Sequence, residues 1–366
     1  MHLGHLLFFI CIVTFAYCSN VLFIYTGGTI GMKTVDGHYA PIPGYLGELI
    51  ASYPQINDPL LNVSYTMLEY APLLDSSNIN STHWIRIAQD IFDNYDKYDG
   101  FVVIHGTDTL AYTSSALSFL LQHLNKTVVV TGSQIPLVET YSDGWNNLIG
   151  SMIIAGKYHI PEVTVFFNNQ LFRGNRVRKF SNWDLSAFVS GQYPILGEWG
   201  GSFRLSRHHI LPYPTSPLKL SSGTFHSNVA IVYLFPSITK QYLETILEPH
   251  IKGLVILAFG MGNGPDEKKD FMETLKKASD RGVVLVDASQ CFRGFVDLEH
   301  YATGSSMAKV GCVGAMDMTP EAAFTKLSWL LSLGLDTKAI KSLMVRSLRG
   351  ELTEDPFELV EELVLH

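Results

Sequence analysis

The sequence VLFIYTGGTIG, residues 21–31, joins an apolar run to a glycine-rich turn that carries two threonines. Short runs of the same β-branched and aromatic character follow at 101–107, 127–133 and 162–169. Segments of helical length separate them, at 82–95, 114–124 and 146–157. Strands that are apolar almost throughout and alternate with helices are typical of a parallel sheet covered on both faces. Residues 19–207 are therefore predicted to form a doubly wound α/β domain.

The alternation of strands and helices stops at 208–227 and then resumes. This segment is rich in proline and serine and has no helical period, so it is interpreted as an interdomain linker. Apolar runs follow at 229–235, 253–260 and 282–289. Helices are predicted at 242–247, 268–281 and 321–333. Residues 228–366 are thus predicted to form a second, smaller parallel α/β domain, in keeping with a length that exceeds what one hydrophobic core usually fills.

Composition and missing motifs exclude several classes of function. The net charge is −8 and no long basic run occurs, which argues against a nucleic-acid partner, because phosphate binding needs clustered lysine and arginine. The 13 histidines are scattered, and neither C-x-x-C nor H-E-x-x-H occurs, so no metal site is predicted. A phosphate-binding loop and a G-x-S-x-G nucleophile elbow are also absent from the sequence. A small polar substrate fits this pattern best.

The N-terminus has the character of a secretory leader. Residues 6–15 are apolar and uncharged, and small residues stand at Ala16 and Cys18. The stretch is too short to span a bilayer, so a signal peptide over 1–18 is predicted and stable membrane insertion is not. The leader contains histidine but no lysine or arginine, which leaves a buried leader strand as the alternative. Cleavage after Cys18 implies secretion, and an uncleaved chain is expected in the cytoplasm.

Three strand ends in the first domain carry threonine together with glycine, at 26–29, 105–109 and 131–133. Ligands of open parallel sheets bind outside the carboxyl ends of the strands. Glycine lets the backbone approach a ligand and present N–H groups to a developing oxyanion. A threonine hydroxyl attacks an acyl carbon if a base removes its proton, although a single threonine is more often a turn or capping residue. Their joint occurrence favours a hydrolytic site.

A base for such a site is available in RGNRVRK, residues 173–179. Arg173, Arg176 and Arg178 crowd Lys179 in sequence, and neighbouring cations lower the pKa of a lysine. The pair Thr107–Asp108 is the expected partner of this lysine. These residues predict an activated threonine but leave open which threonine is the nucleophile.

Eight stretches together carry a resemblance to a known family: YTGGTIGM, PLLDSSN, DGFVVIHGTDTLAYTSSALSF, VVVTGSQIPL, FFNNQLFRGNRVRK, ASDRGVVLV, YATGSSMAKVG and LRGELT. The chain resembles the bacterial-type L-asparaginases, especially their cytoplasmic-type (type I) branch, and the asparaginase domain of eukaryotic lysophospholipase-like proteins. The resemblance runs from residue 21 to about 354. It implies a two-domain asparaginase-like fold and conversion of L-asparagine to L-aspartate and ammonia, without a metal or organic cofactor.

The resemblance also implies a role for each matching position. The catalytic residues implied are Thr29, Tyr39, Thr107, Asp108 and Lys179. The residues implied to grip the α-amino and α-carboxylate groups of the substrate are Asp75, Ser76 and Ser77, with Thr107 and Asp108. Thr29 is expected to form the acyl-enzyme, Tyr39 to activate it from a mobile loop, and Lys179 to act as the base of the second cluster.

Two further expectations concern regulation and assembly. Some type I members have a separate regulatory asparagine site beside the catalytic lysine, but Arg178 and Leu257 occupy its positions here, so this allostery is not expected. Family members complete their sites between subunits, which implies a homodimer or homotetramer in which the loop 260–264 contributes, through Asn263 above all. A strand-to-helix turn is the alternative for that loop.

Two other functions stay open at this point. The resemblance to eukaryotic relatives allows lysophospholipid deacylation, or amidase or glutaminase activity, on the same fold. A binding protein without turnover is the remaining alternative, and the presence of Thr29, Thr107 and Lys179 argues against it.

Overall fold

The computed structural model describes residues 18–225, 228–298 and 302–355. The apolar leader on which the signal-peptide prediction rests lies outside these residues. Within them, no helix has both the length and the apolar character needed to cross a membrane.

The described part of the chain alternates strands and helices. The strands are β1 Ser19–Gly27, β2 Met32–Val35, β3 His38–Pro41, β4 Val63–Leu74, β5 Gly100–Ile104, β6 Leu121–Gln122, β7 Val128–Thr131, β8 Val163–Phe167, β9 Gln170–Arg173, β10 Val177–Lys179, β11 Phe188–Ser190, β12 Gly197–Trp199, β13 Phe203–Leu205, β14 Lys219–Leu220, β15 Val229–Tyr233, β16 Gly253–Ala258, β17 Val284–Ser289 and β18 Cys312–Gly314. The helices are α1 Tyr45–Ser52, α2 Ser81–Asp93, α3 Leu110–Leu120, α4 Gly144–Lys157, α5 Lys240–Ile246, α6 Lys269–Asp280, α7 Ala302–Lys309, α8 Pro320–Ser332 and α9 Thr337–Met344.

The first domain is built on an eight-stranded sheet of order β13-β12-β9-β8-β7-β5-β1-β4. Within this sheet, the pairs β4–β1, β1–β5, β5–β7 and β7–β8 are all parallel. Helices α2 and α3 cover one face and α1 and α4 the other, which confirms the doubly wound, mostly parallel sheet. In the sheet, β1 lies between β4 and β5. The chain runs from β1 to β4 on one side and then crosses to β5 on the other side, so the carboxyl end of β1 is a topological switch point.

One edge of this sheet is antiparallel, which the sequence analysis did not predict. Strands β8 and β9 form a hairpin across Asn168 and Asn169, whose φ angles are 44° and 66°. Two consecutive residues with positive φ form the tight turn that matches the twist of antiparallel strands, and asparagine tolerates this conformation better than most residues. The Asn-Asn pair was therefore the available signal for the reversal.

The segment 208–227 was interpreted as a linker, and its described part packs along the first domain. Strand β14 pairs with β6, which directly follows α3. The backbone N–H of Leu211 donates to Glu162 at 2.7 Å, and the hydroxyl of Tyr213 donates to the His159 carbonyl at 3.0 Å. Helix α3 accordingly ends at Leu120 rather than at residue 124, because the following residues pair as a strand.

The second domain is a parallel sheet of order β15-β16-β17-β18, as predicted for a smaller α/β domain. Its helix α8 packs on α3 of the first domain, so one hydrophobic core extends through both domains. Phe119 and Trp329 stack with ring centroids 5.3 Å apart, and the hydroxyls of Ser115 and Thr325 are hydrogen-bonded at 2.7 Å. The two domains therefore share a buried, largely apolar interface.

Candidate active site

Four strand ends meet at the switch point of the first domain, and glycines make the close contact. A Cβ at Gly28 would lie 2.4 Å from the Gly106 Cα, and a Cβ at Gly106 would lie 2.6 Å from Ser76 Oγ. A Cβ at Gly132 would lie 2.3 Å from the His105 carbonyl oxygen. The turns after β1, β4, β5 and β7 are thus packed without room for side chains between them. Three of these turns were predicted from threonine and glycine at strand ends, and the turn after β4 only from the family resemblance.

Thr26 and Thr29 have different environments within the first turn. Thr26 is buried, and its hydroxyl donates to the Ile104 carbonyl at 3.1 Å, which ties β1 to β5. Thr29 is partly exposed and begins a short 3₁₀ helix after Gly28, whose φ of 91° suits glycine. The structure therefore assigns Thr26 a place in the sheet and leaves Thr29 at the surface of the turn.

Tyr39 lies on the hairpin formed by β2 and β3, opposite Thr34. Half of its surface is exposed, and its hydroxyl donates to Glu139 Oε1 at 2.8 Å. This hydrogen bond to a carboxylate raises the pKa of Tyr39 above its usual value. The segment that carries Glu139 also bonds to the Thr29 helix, since the Leu137 N–H donates to the Ile30 carbonyl at 3.1 Å. Glu139 was not among the predicted site residues.

Thr107, Asp108 and Lys179 form a compact cluster, although Lys179 is more than 70 positions away in the sequence. Lys179 Nζ donates to Thr107 Oγ1 and to Asp108 Oδ1, both at 2.7 Å. Thr107 is buried, whereas the Asp108 side chain is 64% exposed and can face a ligand. The structure thus brings together the three residues that were expected to form the second catalytic cluster.

The three arginines near Lys179 do not crowd it as the sequence suggested. Each has a carboxylate partner elsewhere: Arg173 pairs with Glu162 at 2.6 Å, Arg176 with Asp317 at 2.7 Å and Arg178 with Glu321 at 3.3 Å. The charged partner of Lys179 is Asp108. The expected cationic environment is therefore wrong, because the arginines hold the domains together and Lys179 faces the opposite charge.

Asp75, Ser76 and Ser77 lie in the turn after β4. Asp75 Oδ1 accepts from both the backbone N–H and the hydroxyl of Ser77, each at 2.8 Å, which fixes the turn and leaves the carboxylate exposed. Ser76 is buried against Gly106, and its carbonyl accepts from Thr109 Oγ1 at 2.7 Å. Two carboxylates, Asp75 and Asp108, thus stand on adjoining turns, an arrangement suited to binding an ammonium group.

A buried histidine that was not singled out from the sequence supports the central turn. The ring of His105 is bonded to the Gly106 carbonyl at 2.7 Å and to Thr113 Oγ1 at 2.9 Å, and Thr113 accepts from Trp84 Nε1 at 3.0 Å. A carbonyl only accepts, so Nδ1 carries the proton and Nε2 accepts from the Thr113 hydroxyl. Burial lowers the pKa of His105 to about 4, so the ring is neutral near pH 7.

The turn after β7 is fixed by Asp143, at the start of α4. Its carboxylate accepts from the backbone N–H groups of Gln134 and Ile135, both at 3.0 Å, and from Asn147 Nδ2 at 3.1 Å. Gln134 Oε1 in turn accepts from Thr107 Oγ1 at 3.4 Å. Asp143 therefore positions Gln134, which contacts the lysine cluster. The sequence signal for this role was the position of Asp143 directly before Gly144, at the start of a helix.

Two further family positions, Leu257 and Arg178, lie in different domains. Leu257 is a partly buried core residue on β16, and Arg178 is paired with Glu321. The loop 260–264 is closed by a backbone bridge between Phe259 and Asn263. In the described part of the chain, no group of three or more His, Cys, Asp or Glu side chains is arranged to hold a metal ion.

Threonine hydroxyls, a lysine amine and glycine-rich turns at one rim are groups that acyl transfer can use, so the fold and site are those of a two-domain α/β protein suited to hydrolysis. The family model "Asparaginase, N-terminal" matches residues 20–211, and "Glutaminase/Asparaginase C-terminal domain" matches residues 228–344. The chain therefore belongs to the asparaginase family, whose members are hydrolases that act on amides.

Individual relatives agree with this assignment. L-asparaginase 1 of Escherichia coli K12 is 44% identical over 337 residues, which cover 92% of this chain and 99% of that protein. The 60 kDa lysophospholipase of Mus musculus is 40% identical, and the match covers 91% of this chain but only 62% of that protein. The crystal structure of L-asparaginase I from Vibrio cholerae superposes with a TM-score of 0.84 at 42% identity, covering 92% of this chain and 99% of that one.

Proposed function

We propose that the protein is an L-asparagine amidohydrolase that works through a threonine acyl-enzyme. The observation that carries the proposal is the direct contact of Lys179 Nζ with Thr107 and Asp108, on a turn that packs against the turn of Thr29. The names of the bacterial relatives support asparagine as the substrate.

In the proposed first step the Thr29 hydroxyl attacks the side-chain amide carbon of asparagine, and its proton passes to a neighbouring base. Tyr39 is the proposed activating residue: its oxygen accepts the Thr29 proton while its own hydroxyl proton passes to the Glu139 carboxylate, and the proton returns along the same path to the leaving nitrogen. The oxyanion is stabilised by backbone N–H groups of the glycine-rich turns, and ammonia leaves with the transferred proton. Water then attacks the acyl-enzyme, which releases aspartate and regenerates the free Thr29 hydroxyl.

The lysine cluster has a separate proposed role. When Lys179 is deprotonated it accepts a proton from the Thr107 hydroxyl or from a water bound there, which the 2.7 Å contact permits. Asp108 and Asp75 pair with the substrate ammonium group, while Ser76 and Ser77 bind the α-carboxylate. Charge-assisted hydrogen bonds of this kind select an α-amino acid over an uncharged amide.

The decisive experiment measures ammonia release from L-asparagine by the wild type and by variants of both clusters. Thr29→Ala and Lys179→Met are each expected to lower kcat by at least about 10³-fold, because the nucleophile or the base of the second cluster is removed. Thr245→Ala, an exposed threonine on α5, is the matched control and is expected to keep full activity. Folded wild type that releases no ammonia at millimolar asparagine would contradict the proposal.

A second candidate activity is lysophospholipid deacylation, which the name of the mouse relative favours. The same variants should be assayed for fatty-acid release from lysophosphatidylcholine and for ammonia release from glutamine. The amidohydrolase proposal expects asparagine to give the highest kcat/KM. Fatty-acid release that depends on Thr29 and exceeds asparagine hydrolysis would favour the second candidate instead.

We also propose a homodimer or homotetramer in which the loop 260–264 reaches the site of a neighbouring subunit. Asn263 is the proposed contributor. Sedimentation velocity should give a dimer or larger at assay concentration, and Asn263→Ala should raise KM without changing the sedimentation coefficient. A fully active monomer would contradict this assembly.

A further inference from the structure

A cavity of about 330 Å³ lies on the far side of the first domain from the candidate active site. It opens beside the amino end of β8, whereas the active-site turns follow the carboxyl ends of the strands. Its walls come from β6, the segment 211–215 and the C-terminal segment 348–349. Most of the wall is apolar, and contributors include Leu121, Leu124, Pro212 and Tyr213. Its volume lies at the lower end of the range of small-molecule sites.

Among the described residues, three charged side chains line the cavity, and two of them already form a pair. Glu162 accepts from Arg173 Nε at 2.6 Å and from the Leu211 backbone N–H at 2.7 Å. Arg173 also donates to the carbonyls of Gly350 and His209, at 3.2 and 2.7 Å. Both groups of this ion pair are therefore satisfied by the protein itself.

The third charged group, Arg349, is not balanced in this way. Its Nη1 donates to the Leu348 carbonyl at 2.6 Å, and its Nε is buried without a hydrogen-bond partner among the described residues. The nearest acid in sequence, Glu351, is paired with Lys326 at 2.6 Å and accepts the backbone N–H groups of residues 348 and 349. Burial lowers the pKa of Arg349, yet a guanidinium remains charged at neutral pH. Glu351 acts on Arg349 through its charge alone, so within the described part of the chain the Arg349 guanidinium has no hydrogen-bonded carboxylate.

We propose that this cavity is a second ligand site, which takes a small organic monocarboxylate with an apolar body. The carboxylate pairs with Arg349, whose planar fork matches two carboxylate oxygens, and the apolar body lies against the leucine and proline walls. A dianion such as a phosphate monoester is disfavoured, because Arg173 is already neutralised by Glu162 and only the single charge of Arg349 remains to balance it. The site shares no lining residue with the candidate active site.

The position of the cavity also connects it to the strand that carries Lys179. Gly350, the neighbour of Arg349, accepts from Arg176 Nε at 2.6 Å as well as from Arg173. Arg176 immediately precedes β10 Val177–Lys179. A ligand on Arg349 therefore binds next to the contact that holds this strand, although the proposal concerns binding and does not depend on the reaction proposed above.

The test is calorimetric titration of the full-length protein with benzoate and hexanoate, in the presence of saturating L-aspartate to occupy the candidate active site. Neutral benzamide and phenyl phosphate serve as comparison ligands. We expect one saturable site for at least one carboxylate, weaker binding of both comparison ligands, and at least a tenfold loss of affinity in Arg349→Gln. Arg346→Gln, an exposed arginine of the same segment, is the matched control and should bind like the wild type.

A second variant keeps the test valid if Arg349→Gln fails to fold. Thr215→Trp places a large ring at an exposed position of the cavity wall and leaves Arg349 intact, so it should fold and lose carboxylate binding. Absence of binding of both carboxylates to the wild type would overturn the proposal. Equal affinity in folded Arg349→Gln, or tighter binding of phenyl phosphate or benzamide, would overturn it as well.

Discussion

At the scale of single residues, the same residue type has different structural roles at positions only a few residues apart. Thr26 closes the sheet through the Ile104 carbonyl, while Thr29 stands partly exposed on the next turn. Two residues of the next turn also differ in role: the His105 ring supports the turn from within the core, and Thr107 contacts Lys179. What separates a supporting residue from a reactive one is therefore its position relative to the sheet rather than its chemistry.

His105 gives a pH-dependent prediction at this scale. Its pKa is about 4 in the folded protein and 6.5 ordinarily, so the unfolded chain binds the proton more strongly between these values. The free energy of unfolding therefore falls as the pH falls through this window, by about 2 kcal/mol between pH 7 and pH 5 from this group alone. Urea unfolding at both pH values should show a smaller decrease for His105→Asn. An unchanged pH dependence in that variant would contradict the assignment of a neutral ring.

At the scale of elements, the site is formed where turns of neighbouring parallel strands contact each other through glycine. Gly28 has a φ of 91° and touches Gly106, which in turn touches Ser76. The two threonine-bearing turns and the turn after β4 are thus one packed unit. A shift in any of them moves the others.

Gly28→Ala tests this coupling. The new Cβ would lie 2.4 Å from the Gly106 Cα, and the positive φ adds strain, so we expect a loss of at least about 2 kcal/mol in unfolding free energy. Activity should fall by about 10²-fold or more, because the reacting groups are displaced. Gly200→Ala is the control, since its Cβ meets no atom within 4 Å and should leave stability and activity near the wild-type values. Equal effects of the two substitutions would argue against the packed turns.

The sequence predicts the elements better than it predicts their contacts. Apolar runs and helical segments located the parallel core strands, because burial on both faces leaves a local signature. The antiparallel edge was missed, since its short strands carry little pattern apart from Asn168 and Asn169. The arginines around Lys179 were misinterpreted because two of their three carboxylate partners, such as Asp317, come from the other domain. Contacts between distant residues have no local signature, and the resemblance alone indicated the turn after β4.

At the scale of the whole molecule, buried ion pairs link the two domains and the C-terminal segment. Lys326 on α8 and Glu351 are completely buried and lie 2.6 Å apart. Arg176 pairs with Asp317 and donates to the Gly350 carbonyl. These pairs lie beside the apolar interface of α3 and α8, so neither domain is expected to keep its structure without the other.

Lys326→Met tests the buried ion pair between α8 and the C-terminal segment. It leaves the buried Glu351 carboxylate without its cation, and we expect a loss of about 3–5 kcal/mol in unfolding free energy. Lys277→Met, which breaks an exposed pair with Glu273 on α6, should change stability by no more than about 0.5 kcal/mol. Chemical unfolding followed by fluorescence measures both. Losses of similar size would indicate that the buried pair does not anchor the C-terminal segment on α8.

The contacts of Arg176 set an order of events during synthesis. The turn before β10 is held by the Gly350 carbonyl and by Thr353 Oγ1, at 2.6 and 3.1 Å, more than 170 positions further along the chain. A nascent chain therefore displays the Thr29 turn long before Lys179 has its final support. Translation has to pass Thr353 before the strand that carries Lys179 is anchored. A chain released earlier would carry the proposed nucleophile Thr29, while Lys179, the proposed base of the second cluster, would lack its final support.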